Sequence, residues 1–213
     1  MEFIKELLFP KFCVSCQMEG NYLCQDCFSL LDFPTYTPEK VNNIAGLFCA
    51  LPYNNFILKK LIAQFKYQPI VKDLAAPLAS LIIHYIKLNE KQMFFSNKDF
   101  ILPIPLTKKR LKERGFNQSE EIAKELSKFF GIPLVNNVLL KIKETLPQVE
   151  LSGRERESNV RNAFSVINKD LIRDKKIFLV DDVYTTGSTM AEAARVLKEA
   201  GAKQVWGIAV ARE

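Results

Sequence analysis

Residues 177–189 read Ile-Phe-Leu-Val-Asp-Asp-Val-Tyr-Thr-Thr-Gly-Ser-Thr, and no other stretch limits the fold so tightly. A short uninterrupted apolar run fits a strand buried on both faces, as in a parallel sheet covered by helices. The run ends in two adjacent carboxylates, and a hydroxyl-rich loop then opens a helix. Open α/β sheets bind ligands beyond the carboxyl ends of their strands. Helix-opening N–H groups, with the hydroxyls of Thr185, Thr186, Ser188 and Thr189, suit a phosphate, and Gly187 permits close approach or a positive φ. Asp181 and Asp182 would repel that phosphate but can accept hydrogen bonds from a sugar diol. A phosphate and a diol a few ångströms apart describe a ribose 5-phosphate. The competing reading is a capping turn with two exposed acids.

The rest of the chain continues the same alternation. Helical periodicity covers 54–65, with Asn54 or Asn55 as N-cap, and 74–88. Residues 99–105 read as a short buried strand ended by prolines. Residues 117–130 form a strong helix stopped by Gly131 and Pro133. A strand over 176–180, a helix over 188–200 closed by Gly201, and a strand over 204–211 complete the pattern. Strands alternating with helices predict an α/β domain with a mostly parallel sheet. Residues 144–162 are polar and charged and suit a mobile excursion.

Cys13, Cys16, Cys24 and Cys27 form two CxxC pairs separated by residues 17–23. Each pair lets a tight turn aim both sulfurs at one ion, and two such turns complete a tetrahedral zinc site with Zn–S near ~2.3 Å. The alternative is a set of redox CxxC pairs or unrelated thiols. Four thiolates closing the shell make the site structural, one zinc per chain, standing in for a core that so short a segment cannot build. Cys49 lies in an apolar run and reads as a core residue. The expected division is a four-cysteine module over 1–45 and the α/β domain over 46–213.

Charge is unevenly spread. Residues 1–50 hold three Lys against six acids, while the remaining residues hold 27 bases against 18 acids. A basic body attracts nucleic acid, phosphorylated small molecules or anionic lipid. Lys108, Lys109, Arg110, Lys112 and Arg114 are the densest cluster, with Phe116 beside them as a possible stacking platform for a base. No run of about 18 apolar residues offers a membrane span, and the first residues lack the basic start of a signal peptide. A cytoplasmic location follows as the expectation. Phe3, Ile4, Leu7 and Leu8 fit one helical stripe, suited to packing on the main domain, a partner, or the inner face of the cytoplasmic membrane. His84, the single histidine, sits in an apolar helix and reads as a packing residue.

Residues 177–189 resemble the phosphoribosyl pyrophosphate (PRPP) signature of type I phosphoribosyltransferases. The chain as a whole resembles the ComF family. The matching pieces, in order, are the CxxC…CxxC knuckle, Phe65-Lys66-Tyr67, Leu102-Pro103-Ile104-Pro105-Leu106, and Arg110…Glu113-Arg114-Gly115-Phe116-Asn117-Gln118. Thr145…Gln148 and Arg156…Asn159-Val160-Arg161-Asn162-Ala163-Phe164 follow. The resemblance implies a type I phosphoribosyltransferase-like parallel sheet flanked by helices, with an N-terminal zinc module. It puts Asp181 and Asp182 on the ribose 2- and 3-hydroxyls as the catalytic pair, and Thr185 through Thr189 around the 5-phosphate. It assigns pyrophosphate to the loop near 102–106 and a closing loop to 144–158. Arg110, Arg114 and Arg156, with Lys109, Lys143 and Arg154 nearby, could clamp that poly-anion. Mg2+ would bridge pyrophosphate and ribose oxygens while keeping several waters. The functional role implied is DNA uptake in natural transformation, through PRPP and single-stranded DNA and among competence-machinery proteins, with phosphoribosyl transfer to an acceptor that no motif specifies. Two alternatives stand beside it: a non-catalytic module binding single-stranded DNA or a phosphosugar, and a nucleobase salvage phosphoribosyltransferase. The zinc knuckle weakens the second.

Overall fold

A computed structural model describes residues 10–36, 43–67, 71–144 and 160–213. The central sheet has four parallel strands in the order β1 (Leu47–Pro52), β6 (Gln204–Arg212), β5 (Lys176–Tyr184) and β2 (Phe100–Pro103). β5 and β6 lie in the middle, which is why both read as apolar runs. Ile177, Phe178, Leu179 and Val180 are all fully buried. Phe178 and Val180 join a core with helices on one face, and Ile177 and Leu179 join the core on the other.

Helices α2 (Phe56–Lys66), α3 (Ala75–Leu88) and α5 (Gln118–Phe130) supply the first core. Their starts follow local capping. The Asn55 side chain accepts from the Leu58 N–H and the Asn117 side chain from the Ser119 N–H. Ile122 and Leu126 of α5 are buried as their spacing requires, whereas Phe129 stays 45% exposed under the Lys87 ammonium. Helix α6 (Ser188–Glu199) covers the second face together with an antiparallel pair, β3 (Leu139–Lys141) and β4 (Phe164–Val166).

Four elements were not legible as such. β1 is an edge strand, and Cys49 within it is half-buried, its thiol directed at the Leu51 carbonyl. The basic cluster is not an irregular loop but a short helix, α4 (Lys108–Arg114), started by the Thr107 side chain and ended by Gly115 at φ 79°. β3 and β4 are too short to display a period.

The cysteine segment lies against the α/β domain. Val14 and Leu31 enter the first core, and Lys60 of α2 donates to the Val14 carbonyl. His84 of α3 packs against the rings of Phe28 and Phe33, 5.1 and 4.6 Å between centroids. It is therefore a packing residue, but at the contact with the cysteine segment rather than in the core. The stripe at Phe3, Ile4, Leu7 and Leu8 lies outside the described residues, as do Thr145, Gln148, Arg154, Arg156 and Asn159.

Candidate functional site

All strands of a parallel sheet end on the same side, and the acidic pair sits there. β2 stops at Pro103, opposite Val180, so the stretch of β5 beyond Val180 loses β2 as a neighbour. On the other side β5 stays paired with β6 through Asp181, Val183 and Tyr184. The acids are thus inside a strand rather than after it, and their backbone is held in one register. Each carboxylate turns back on the chain: Asp181 Oδ1 accepts from the Asp182 N–H at 2.9 Å, and Asp182 Oδ1 from the Val183 N–H at 2.7 Å.

Two other elements reach the pair. Lys66, the last residue of α2, puts Nζ 2.9 Å from Asp182 Oδ2, with side chains only 17% and 8% exposed. Ser119, in the first turn of α5, donates its hydroxyl to Asp181 Oδ1 at 3.0 Å. Burial and the neighbouring Asp182 charge push Asp181 up to about 7, against the opposing pull of Lys66. Burial works against the Lys66 charge, but Asp182 outweighs it and holds the ammonium above its ordinary range.

The segment 114–119 organises these contacts residue by residue. Gly115 adopts the left-handed conformation that lets α4 end and α5 begin three residues later, at Gln118. Phe116 packs on Phe65, 5.5 Å between centroids, so one face of the ring is already occupied. Asn117 caps α5 and donates to the Ile104 carbonyl. Gln118 accepts from Arg114 at 3.0 Å and donates to the Phe65 carbonyl at the end of α2. One hexapeptide therefore fixes Arg114, the tip of α2 that carries Lys66, and Ser119.

Beyond the acids, Asp181, Val183, Tyr184, Thr185, Gly187, Thr189 and Met190 line one small pocket. Gly187 has φ 75°, and a Cβ there would overlap the Tyr184 hydroxyl, so no other residue fits without moving that ring. The Thr186 and Ser188 hydroxyls are 3.0 Å apart, and the Ser188 N–H points at Thr186 Oγ1 at 3.5 Å. Gly187 offers α6 no side-chain cap. A helix of this length with hydroxyls around its first turn presents an anion site.

Cations complete the surroundings. Arg114 acts electrostatically on Lys66. Lys141 closes β3, half-buried with its ammonium 5.6 Å from the Phe164 ring. Burial first, then Arg110 and also Arg114, depress its pKa, while Asp181 and Glu144 oppose them. Lys141 thus feels like charges from Arg110 and Arg114 as well as the Asp181 carboxylate, an accumulation of positive charge that a poly-anion would relieve. Lys66 was read only as part of a motif, and Lys141 was not read at all. The available signal was a lysine closing an apolar helix face in one case and an apolar strand in the other.

The four cysteines form a second site. Their sulfurs all lie within 4.8 Å of one another, with Cys16 and Cys24 at 3.5 Å. Tetrahedral thiolate coordination at ~2.3 Å puts sulfurs about 3.8 Å apart, so the set fits one metal ion. Cys24 also caps α1 (Gln25–Ser29), its sulfur accepting from the Cys27 N–H. Burial opposes ionisation of Cys13, but N–H groups of Cys24, Cys16 and Ser15 outweigh it and bring the thiol to about 6. The Ser15 hydroxyl favours the Cys27 thiolate, yet burial and the other three thiols carry it up to about 12. Four sulfurs this close cannot all ionise without a cation among them.

Comparison with known proteins agrees with this geometry. The family described as phosphoribosyl transferase domain matches residues 112–212. Competence protein F of Haemophilus influenzae is 34% identical over 212 residues, covering 94% of this chain and 85% of that protein. DNA utilization protein YhgH of Escherichia coli (strain K12) is 32% identical over 151 residues, 70% of this chain and 65% of that protein. Competence protein ComFC of Bacillus subtilis (strain 168) is 30% identical over 151 residues, 69% of this chain and 56% of that protein.

Proposed function

The chain belongs to the ComF family of competence protein F, and on that premise we propose that it binds PRPP at the carboxyl end of β5 and handles incoming single-stranded DNA in the cytoplasm. The observation that carries the reading is that Asp181 and the loop containing Thr185, Gly187 and Thr189 line a single pocket, with Lys141 acting electrostatically on Asp181 and Arg110 and Arg114 acting on Lys141. Asp181 and Asp182 accept from the ribose 2- and 3-hydroxyls. Thr185, Thr186, Gly187, Ser188 and Thr189 surround the 5-phosphate. The cation group faces the pyrophosphate, and Arg156 joins it from the segment outside the described residues.

The chemistry such a site supports is displacement at the anomeric carbon. The bond to pyrophosphate oxygen breaks as a bond to the acceptor forms, and the ring carbon passes through oxocarbenium character. The acid pair places negative charge beside that centre, and the cation group receives the charge developing on the leaving pyrophosphate. His84 lies at the contact with the cysteine segment and is not the base for the acceptor. PRPP would bring Mg2+ with it, which would supply neutralisation of the charge on pyrophosphate.

The four cysteines hold zinc, whose preference for closed thiolate tetrahedra matches the set. With zinc bound, the cluster carries about −2, so nucleic acid is directed to the basic body. Helix α4 is the candidate surface, with Lys108, Lys109, Arg110 and Lys112 beside Arg114. Competence-machinery proteins or the inner face of the membrane would meet the apolar stripe at Phe3, Ile4, Leu7 and Leu8. Among the described residues no helix is long and apolar enough to cross a membrane.

The experiment that tests this is calorimetric titration with PRPP and with ribose 5-phosphate, followed by pyrophosphate release in the presence of nucleobases, nucleosides or single-stranded DNA. Binding without release under every acceptor leaves the non-catalytic phosphosugar module as the function. Absence of binding removes the reading.

A further inference from the structure

The acid pair poses a physical problem that the ribose reading does not solve. Two carboxylates on consecutive residues, Asp182 6% exposed and Asp181 partly buried beside it, repel each other, which works against ionisation of Asp181. A protonated carboxyl is a poor acceptor for a diol, so a pair left to itself would lose its ligand near neutral pH. Something must hold both carboxylates charged and correctly turned before a ligand arrives.

We propose that Lys66 is a positioning residue for this pair: its ammonium holds the Asp182 carboxylate in place by an ion pair and, through Asp182 and by its own field, keeps Asp181 available to accept from the ribose hydroxyls. The geometry is specific. Lys66 Nζ meets Asp182 Oδ2 at 2.9 Å, while Asp182 Oδ1 is occupied by the Val183 N–H at 2.7 Å, so both oxygens of that carboxylate are fixed. The lysine itself is anchored from two sides. Phe65 is fully buried against Phe116, and the Phe65 carbonyl accepts from Gln118. Tyr67 closes α2 through its N–H to the Ala63 carbonyl. The ammonium therefore sits at a set place rather than on a free stem, unlike the exposed lysines of α4.

The charged and titratable groups facing Asp181 come from every neighbouring element. Lys66 at the end of α2, Asp182 on β5 itself and Lys141 from β3 act on Asp181 directly, while Arg114 of α4 acts on Lys66 and Lys141, and Arg110 of α4 and Glu144 act on Lys141. Ser119 adds a neutral donor from α5. Lys66 is the one that touches the pair directly by ion pairing among the described residues. Arg114 and Lys141 make no ion pair with the acids among the described residues, and a bound pyrophosphate would draw on them. Lys66 remains with the acids.

This inference rests on the ribose 5-phosphate reading of the site, and the test separates the two. The carboxyl carbons of Asp181 and Asp182 are titrated by NMR in the ligand-free full chain. Ribose 5-phosphate binding is measured in parallel from pH 5.5 to 9 by calorimetry. Four proteins are compared: wild type, Lys66→Met, Lys66→Gln and Lys66→Arg. Lys66→Gln keeps a hydrogen-bond donor without the charge, and stands in if the Met variant does not fold. The expected result is that the upper carboxyl step rises by about one unit or more in the Met and Gln variants and stays in place in Lys66→Arg. Ribose 5-phosphate affinity should then fall about tenfold per unit at pH 7, recover at pH 9, and be restored by arginine. A uniform loss of affinity at all pH values, or carboxyl steps that do not move, overturns the role of Lys66 and leaves ribose binding intact. Carboxyl steps that move in a protein that binds no ribose 5-phosphate at any pH overturn the ribose reading and, with it, the purpose assigned to Lys66.

Discussion

The cysteine cluster and the acidic pair solve the same electrostatic problem in opposite ways. Both crowd groups that carry negative charge when they act, and both draw them from tight local geometry: two CxxC turns in one case, two consecutive residues of β5 in the other. The thiols sit within 4.8 Å of one another, a set that could hold a metal ion, whose counter-charge would come from outside. The carboxylates have their cation built in, delivered by the last residue of α2. A site whose counter-charge is external is coupled to folding, because metal affinity becomes folding free energy. A site whose counter-charge is internal is preformed, and its free energy can go into a ligand. The first is thus suited to holding structure and the second to binding and chemistry.

The largest effect is expected at the cysteines. Structural zinc contributes on the order of 10–16 kcal/mol of apparent binding in isolated fingers, and Val14 and Leu31 carry the cluster's fate into the main core. Elemental analysis should give one zinc per chain, and Cys24→Ser or chelation should lower Tm by many degrees. Metal-free protein with full stability would break the comparison at its first half.

Gly187→Ala strikes the second half. The residue has φ 75°, and the new Cβ would meet the Tyr184 hydroxyl. Backbone strain of this kind costs about 1–3 kcal/mol, and denaturant titration should show a loss in that range together with loss of phosphate binding. An alanine variant that binds ribose 5-phosphate normally would mean the loop is not the anion site.

Asp181→Asn sharpens the comparison through pH. The folded-state pKa near 7 lies above the ordinary aspartate value, so the folded chain binds this proton more tightly than the unfolded one. Stability contributed by the protonated form is full below about pH 4 and is lost as pH rises toward 7, at about 1.4 kcal/mol per unit of separation. Asp181→Asn should therefore be more stable than wild type at pH 8 and no more stable at pH 4. Equal unfolding midpoints at both pH values would show that the pair carries no such strain.

The smallest effect belongs to α4. Changing Lys108, Lys109 and Lys112 to Ala should reduce the salt slope of single-stranded DNA binding by about 2, at roughly 0.7 per phosphate contact. Unchanged binding in that variant, with loss on deleting residues 1–35, would move the DNA site to the cysteine module.

Legibility followed the range of the interactions. The β5–loop–α6 unit, the CxxC pairs and the caps at Asn55, Gly131 and Gly201 were readable because each depends on neighbours a few residues away. The extension of β5 through Asp181 and Asp182 was not, since pairing with β6 outlasts pairing with β2 and only the sheet shows that. Helix α4 was hidden because none of its residues is buried, so it has no apolar period and only its caps define it. Lys66 and Lys141 became visible through contacts 116 and 40 residues distant in sequence, with Asp182 and Asp181. A sequence pattern carries no record of such distances.

The central claim is that the carboxyl end of β5 binds the ribose and 5-phosphate of PRPP. Thermal unfolding with and without PRPP and Mg2+, in wild type and in the Asp181→Ala/Asp182→Ala double variant, tests it most directly. At about 100 times the dissociation constant, ligand should stabilise wild type by roughly 2.7 kcal/mol, seen as a rise in Tm that the double variant lacks. A wild-type protein whose Tm does not move at millimolar PRPP, or a double variant that shifts as far as wild type, would contradict the account.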